Sequence, residues 1–213
     1  MEAMALSVWV SNLLMQTANL FGFACPSTEG DPKAYVANIY LYNTGQPVPD
    51  GFLPDVMWAS DATDDRLTRL PHLFRANDFL VVSGDLAALL GRFDLGASKM
   101  HPVQLLHRDR TTPYAGAHHV LELRETKEAF EPTRSARWRP PRAEGQAHLG
   151  GMPGAPKDGD IAVNPAALQG ADLWRDPRLL RSLFLSDRLR AAMHEAGMLG
   201  GVKTFRCEVM AVQ

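Results

Sequence analysis

The stretch DLWRDPRLLRSLFLSDRLRAAMHEAGMLGG, residues 172–201, combines a short apolar run, a serine placed to cap a helix, a helical segment and a glycine exit. Phe184 and Leu185 form an apolar run of the kind that suits a buried strand. Ser186 follows and can accept a hydrogen bond from the free N–H groups of a helix's first turn, as an N-cap does. Leu189, Ala192, Met193 and Ala196 then fall at helical spacing, and Gly197 or Gly200 can take the left-handed conformation that closes a helix. The same pattern stands upstream in FLVVSGDLAALLGRFDLG, residues 79–96, aligned without a gap at an offset of 103. Val82 pairs with Leu185, Ser83 with Ser186, Leu86 with Leu189 and Ala88 with Ala191. The chain is therefore read as two copies of one strand–helix unit, set in two lobes or side by side.

With 213 residues, 46% of them apolar, the chain can fill a real core. Its formal net charge of −2 gives no general case for nucleic acid, but the charge is unevenly spread. Residues 1–100 hold 6 Lys and Arg against 11 acids, net −5; residues 101–213 hold 16 against 13, net +3. Two cysteines, Cys25 and Cys207, lie far apart with no partners at metal-ligand spacing, which predicts reduced thiols and a cytoplasmic protein. Cys207 alternates with Phe205 and Val209 and reads as a small buried hydrophobe on a strand. Glu2, and the lack of Lys or Arg before Lys33, argue against a signal peptide. No apolar run reaches the ~18 residues needed to span a bilayer.

Ser7, Ser11, Asn12, Gln16 and Asn19 recur along one stripe, predicting a largely buried N-terminal helix, or a strand followed by one. Pro26–Pro32 reads as a loop, and YVANIYLYN, residues 35–43, as a strand on its aromatic and β-branched content. Residues 43–65 interleave Gly and Pro with aspartates and read as an acidic, mostly irregular surface. MHPVQLLHR from Met100 and HHVLELRE from His118 read as strands of a hairpin turning at Thr111–Gly116. Five prolines and five glycines within residues 131–160 predict a long loop. The organisation is then an N-terminal part, 1–130, with the first unit, a loop or linker, 131–160, and a C-terminal part, 161–213, with the second. Clustered strands with few short helices make the fold class α+β.

The search for chemistry yields no catalytic, metal or cofactor signature. His118 and His119 are neighbours, so on a strand they point to opposite faces and cannot share one metal. His194-Glu195 lacks the second histidine of a zinc helix. Ser83 and Ser186 lack the glycine frame of a nucleophile elbow and serve as caps. The glycine pairs at 150–151 and 200–201 fit neither a phosphate loop nor a dinucleotide fold. Asp64-Asp65 reads as a solvated pair. Arg134, Arg137, Arg139 and Arg142, with Trp138 among them, form a basic cluster with an aromatic, read as a solvated or protein-docking loop more than a nucleic-acid contact.

LWRDP at 173–177, FLSDRLRAAMHEAGMLGG at 184–201 and FLVVSGDLAALL at 79–90 resemble bacterial immunity proteins of polymorphic-toxin and contact-dependent competition systems. The resemblance rests on Asp172, Trp174, Ser186, Asp187, Arg188, Leu189 and Gly200; the earlier copy has Gly84 and Asp85 in place of Asp187 and Arg188. It covers residues 170–205 best, then 70–125. It implies a cytoplasmic antidote that binds one cognate toxin or effector and blocks it, with no cofactor, no nucleic acid and no membrane. Such a blocker needs a complementary surface rather than a reactive group. The candidate toxin-binding residues are Asp55, Trp58, Asp61, Asp64 and Asp65 in the acidic segment, which a basic nuclease cleft would attract, and Arg137, Trp138 and Arg139. An enzyme or effector of unrecognised chemistry, and an effector-carrying adaptor or chaperone, are the alternatives.

Overall fold

A computed structural model describes residues 7–139 and 150–211. In chain order it contains β1 (Val8–Ser11), β2 (Leu20–Phe21), β3 (Phe23–Ala24), α1 (Pro32–Asn43), β4 (Val56–Ala59), β5 (Leu73–Ala76), β6 (Phe79–Ser83), α2 (Gly84–Leu90), β7 (Lys99–Leu106) and β8 (His118–Glu122). There follow β9 (Gly150–Gly151), β10 (Ala162–Val163), β11 (Leu173–Trp174), β12 (Leu179–Leu180), β13 (Leu183–Ser186), α3 (Asp187–Glu195), β14 (Thr204–Arg206) and β15 (Glu208–Val209). Three α-helices among many strands make an α+β fold.

The larger sheet has the order β2-β5-β6-β8-β7-β4-β3. Its two outer members are separated in the chain by Gly22 alone, so one bent segment pairs with β5 on one side and β4 on the other, and the sheet nearly closes. The bend is crowded: a Cβ on Gly22 would lie 3.0 Å from Cβ of Asp61. Phe23, Phe74, Phe79, Val81, Val103 and Val120 fill the space inside. β6 explains its own continuous apolar sequence. Phe79 and Val81 face this interior, whereas Leu80 and Val82 face a second core shared with the helices.

The second core holds both repeat units. Leu86, Leu89 and Leu90 of α2, and Leu189 and Met193 of α3, belong to one apolar cluster with Leu183 and Leu185 of β13. The units therefore stand side by side, helix against helix. Their likeness also extends further than the ungapped alignment. β5 pairs antiparallel with β6, and β11 with β13, so each unit is a hairpin followed by a helix. Leu73 opposes Val82 and Leu173 opposes Leu185, which makes the second hairpin three residues longer and shifts the offset of its first strand from 103 to 100. β13 lies in a four-stranded sheet of order β11-β13-β1-β14, whose far face packs on a third core with Val8, Val10, Phe130 and Trp174.

One expectation needs correction and two need refinement. Residues 35–43 are helical, not a strand, because Asp31 accepts a hydrogen bond from Lys33 N at 3.0 Å and Pro32 stands at the first helical position. Tyr35, Ile39 and Tyr42 then turn inward. The N-terminal segment begins as a strand, as the second of the two readings had it, but two short 3₁₀ turns follow in place of a helix. Its polar residues make long-range ties: Ser11 donates to Lys203 O at 2.8 Å and Asn19 to Gly201 O at 3.0 Å. The segment 43–65 is not irregular throughout, since its apolar VMWA forms β4 between β3 and β7. The β7–β8 hairpin forms as expected.

Candidate functional site

The acidic segment lies beside the Gly22 bend, and its carboxylates are largely engaged by backbone N–H groups. Asp64 accepts from Gly22 N at 2.6 Å and so pins the corner of the closing sheet. Asp65 accepts from Arg108 N at 2.8 Å and from His107 Nδ1 at 3.1 Å; the first of these, above all, holds its pKa below the usual carboxylate value. Asp61 is exposed and receives Thr63 N at 2.6 Å, which likewise lowers its pKa. Trp58 is buried in β4, with the Arg110 guanidinium 4.1 Å from its ring centre. Asp55 is exposed just ahead of β4. Arg66, Arg108 and Arg110 stand among these acids, so the surface is mixed in charge rather than uniformly negative.

Arg137, Trp138 and Arg139 sit elsewhere, against the third core. Trp138 packs edge-on against Phe130 at 5.6 Å, and Arg139 exchanges backbone hydrogen bonds with Gly151 at 2.8 and 2.9 Å. Arg137 lies 3.6 Å from Asp160. Their contacts share no residue with those of the acidic segment. Arg142 falls outside the described residues.

The residues that carry the family resemblance form a buried knot. Asp172, 1% exposed, accepts from Ser186 Oγ and from Nε and Nη2 of Arg188, each at 2.6 Å, and from Asp94 N at 2.9 Å. Burial pushes its pKa up, but the bonds from Arg188, Ser186 and the Asp94 amide together outweigh this and hold it low. Asp94 ends the first unit, so Asp172 joins the two copies. Ser83 and Ser186 are matched caps, accepting from Leu86 N and Leu189 N at 3.2 Å each. The counterpart of Asp172 in the first unit is His72: its carbonyl receives Ser83 N at 2.9 Å and its Nδ1 meets Ser83 Oγ at 2.7 Å. The unequal hairpin loops hid this match from an ungapped alignment.

His118 is buried and His119 half-buried. Burial first, then the neighbouring His119, lowers the pKa of His118. A residue pair that sequence reasoning missed is His101 and Glu122, on one face of β7 and β8, with Nε2 and Oε2 2.9 Å apart. Together with Lys99, Arg124 and Asp50 they border a cavity of about 340 Å³. Among the described residues no group of three His, Cys, Asp or Glu could hold a metal ion, and no helix is long and apolar enough to cross a membrane.

The outer face of α1 presents apolar side chains to solvent. Val36 and Tyr40, one turn apart, are 67% and 60% exposed. Tyr40 also lines a cavity of about 220 Å³ whose opposite wall comes from residues 175–182 of the second hairpin. Arg175 is among the residues that line it. It is 6% exposed, donates through Nη1 to the carbonyl of Asn43 at the end of α1, and leaves Nε and Nη2 without a partner among the described residues. Burial lowers its pKa. Nothing in the sequence singled out Arg175, since Arg178 and Arg181 follow within six positions.

No family model matches the chain, and a search of curated proteins returns no match.

Proposed function

We propose that this chain is an immunity protein that binds one cognate toxin or effector and neutralises it by occupying its surface. The observation that carries the reading is a division of labour among residues. The motif residues Asp172, Ser186 and Arg188, through which the chain resembles such proteins, tie the scaffold together. Val36 and Tyr40, by contrast, take no part in any of the three cores and are presented outward on α1. A blocking protein needs such a rigid frame beneath an apolar and aromatic surface, because anchors of this kind dominate interface energy. A stable complex would bury ~1,200–2,000 Å² in total. The test is to co-express the chain with the toxin domain encoded beside it. Rescue of growth and co-purification are the expected results. Growth inhibition by the chain alone, or a neighbouring frame with no toxin domain, counts against the reading.

The His101–Glu122 pair supports a second reading, a small hydrolytic enzyme acting on an anion. Glu122 is placed to orient His101 as a base, while Lys99 and Arg124 supply positive charge at the same cavity. Turnover of an anionic ester that His101→Ala abolishes would favour it; unchanged turnover in that variant would reject it.

A further inference from the structure

We infer that the charged end of the larger sheet's interior is a binding site for a small zwitterion, a free α-amino acid with an apolar side chain. Strand register places the site. Lys99 opposes Glu122 and His101 opposes Val120, so all four share one face of the β7–β8 hairpin with Val103. This face looks into the interior core, where Val103, Leu105 and Val120 are buried. The inward row is thus apolar in the middle and turns charged at one end, where Arg124 and Asp50 join Lys99, His101 and Glu122 around the cavity of about 340 Å³. Val48 and Leu53, which pack on the same core from the loop before β4, give the cavity an apolar wall. Cavities of this size at the mouth of a closing sheet are common small-molecule sites.

The charged atoms are within reach of a ligand. Lys99 and Asp50 are exposed, and the His101 side chain, held through Nε2 by Glu122, is 37% exposed. Arg124 is half-buried: its Nε is enclosed, but Nη1 and Nη2 are neither enclosed nor hydrogen-bonded among the described residues. Neither Lys99, Arg124 nor Asp50 has an ion-pair partner among the described residues. His101 aside, the formal charges around the cavity cancel, Lys99 and Arg124 against Asp50 and Glu122. A ligand of one sign meets repulsion as well as attraction there, whereas a ligand carrying both signs answers each. Its carboxylate suits the Arg124 Nη pair and the Lys99 ammonium, its ammonium suits the Asp50 carboxylate, and an apolar side chain covers Val48 and Leu53.

The site needs no turnover and stands apart from both functional readings. The full chain, labelled with ¹⁵N, is titrated with L-leucine at neutral pH while the backbone amide signals of Val48, Asp50, Leu53, Lys99, His101, Glu122 and Arg124 are followed by NMR. Saturable shifts at these residues are expected, with half-saturation on the order of 1 mM. N-acetyl-leucine, which lacks the ammonium, and leucine amide, which lacks the carboxylate, should each bind about tenfold more weakly or worse. Asp50→Asn, on an exposed side chain, should weaken leucine about tenfold and leave N-acetyl-leucine unchanged. Arg124→Gln should likewise weaken leucine but not leucine amide. No saturable shift at these residues, either one-charge probe binding as tightly as leucine, or Asp50→Asn binding leucine like the parent would each overturn the inference.

Discussion

Replacing Asp172 by Ala probes the joint between the two hairpin–helix units. Its carboxylate receives Ser186 Oγ, two Arg188 nitrogens and Asp94 N. The Arg188 side chain is 67% exposed, so in the variant it turns to water and its share of the loss is that of a surface pair, ~0–1 kcal/mol. The part-buried Ser186 hydroxyl and Asp94 amide each lose an acceptor, at a cost of ~1–2 kcal/mol apiece. Together the loss comes to ~2–5 kcal/mol. With a urea slope of ~2 kcal/mol per molar, the unfolding midpoint falls by ~1–2.5 M. Arg188→Ala leaves the buried Asp172 carboxylate with only Ser186 and the Asp94 amide, so it should also be destabilising, by ~1–3 kcal/mol. Because the folded pKa of Asp172 lies below its unfolded value, its contribution is complete above about pH 4 and fades as the pH falls through the folded pKa. The gap between parent and Asp172→Asn should therefore narrow in acid. A midpoint unmoved by Asp172→Ala would refute the assignment of the joint to this carboxylate.

Tyr42→Phe removes a hydroxyl that accepts from Leu80 N at 3.0 Å and donates to Leu121 O at 2.7 Å inside the larger core, so stability should drop by ~2–4 kcal/mol with faster amide exchange at Leu80. Gly22→Ala drives a methyl to 3.0 Å from Cβ of Asp61 at the bend of the closing sheet and should cost ~1–3 kcal/mol in chemical denaturation; a neutral effect would show that the 60–64 loop yields freely. The pKa of buried His118 is lowered on folding, so stability should be full above about pH 6.5 and decline as the pH falls toward the folded value. His118→Gln should flatten that limb of a stability-against-pH curve.

The parts of the fold that depend on neighbouring residues were legible. FLVV at 79–82 and the serines after each strand announce themselves because a strand buried on both faces must be continuously apolar and a helix start needs an acceptor. YVANIYLYN misled because its tyrosines and isoleucine suit a strand, whereas the deciding residues, Asp31 and Pro32, lie just outside it. Trp58 read as surface because it is surrounded by aspartates, although VMWA alone is a strand between two partners. What could not be read arises from tertiary approach. His72 answers to Asp172 only once the hairpins are formed, and the partnerless nitrogens of Arg175 exist only because the end of α1 meets a loop more than 130 residues away.

The single bent segment through Gly22 also bears on how a partner can be recognised. By pairing with β5 on one side and β4 on the other, it leaves the larger sheet nearly closed, with little rim for strand addition or aggregation. The four-stranded sheet ends in β11 and β14, and these rims are partly covered too: Arg175 beside β11 bonds to Glu125 and Lys127, and Arg206 of β14 to Asp158 and Gly159.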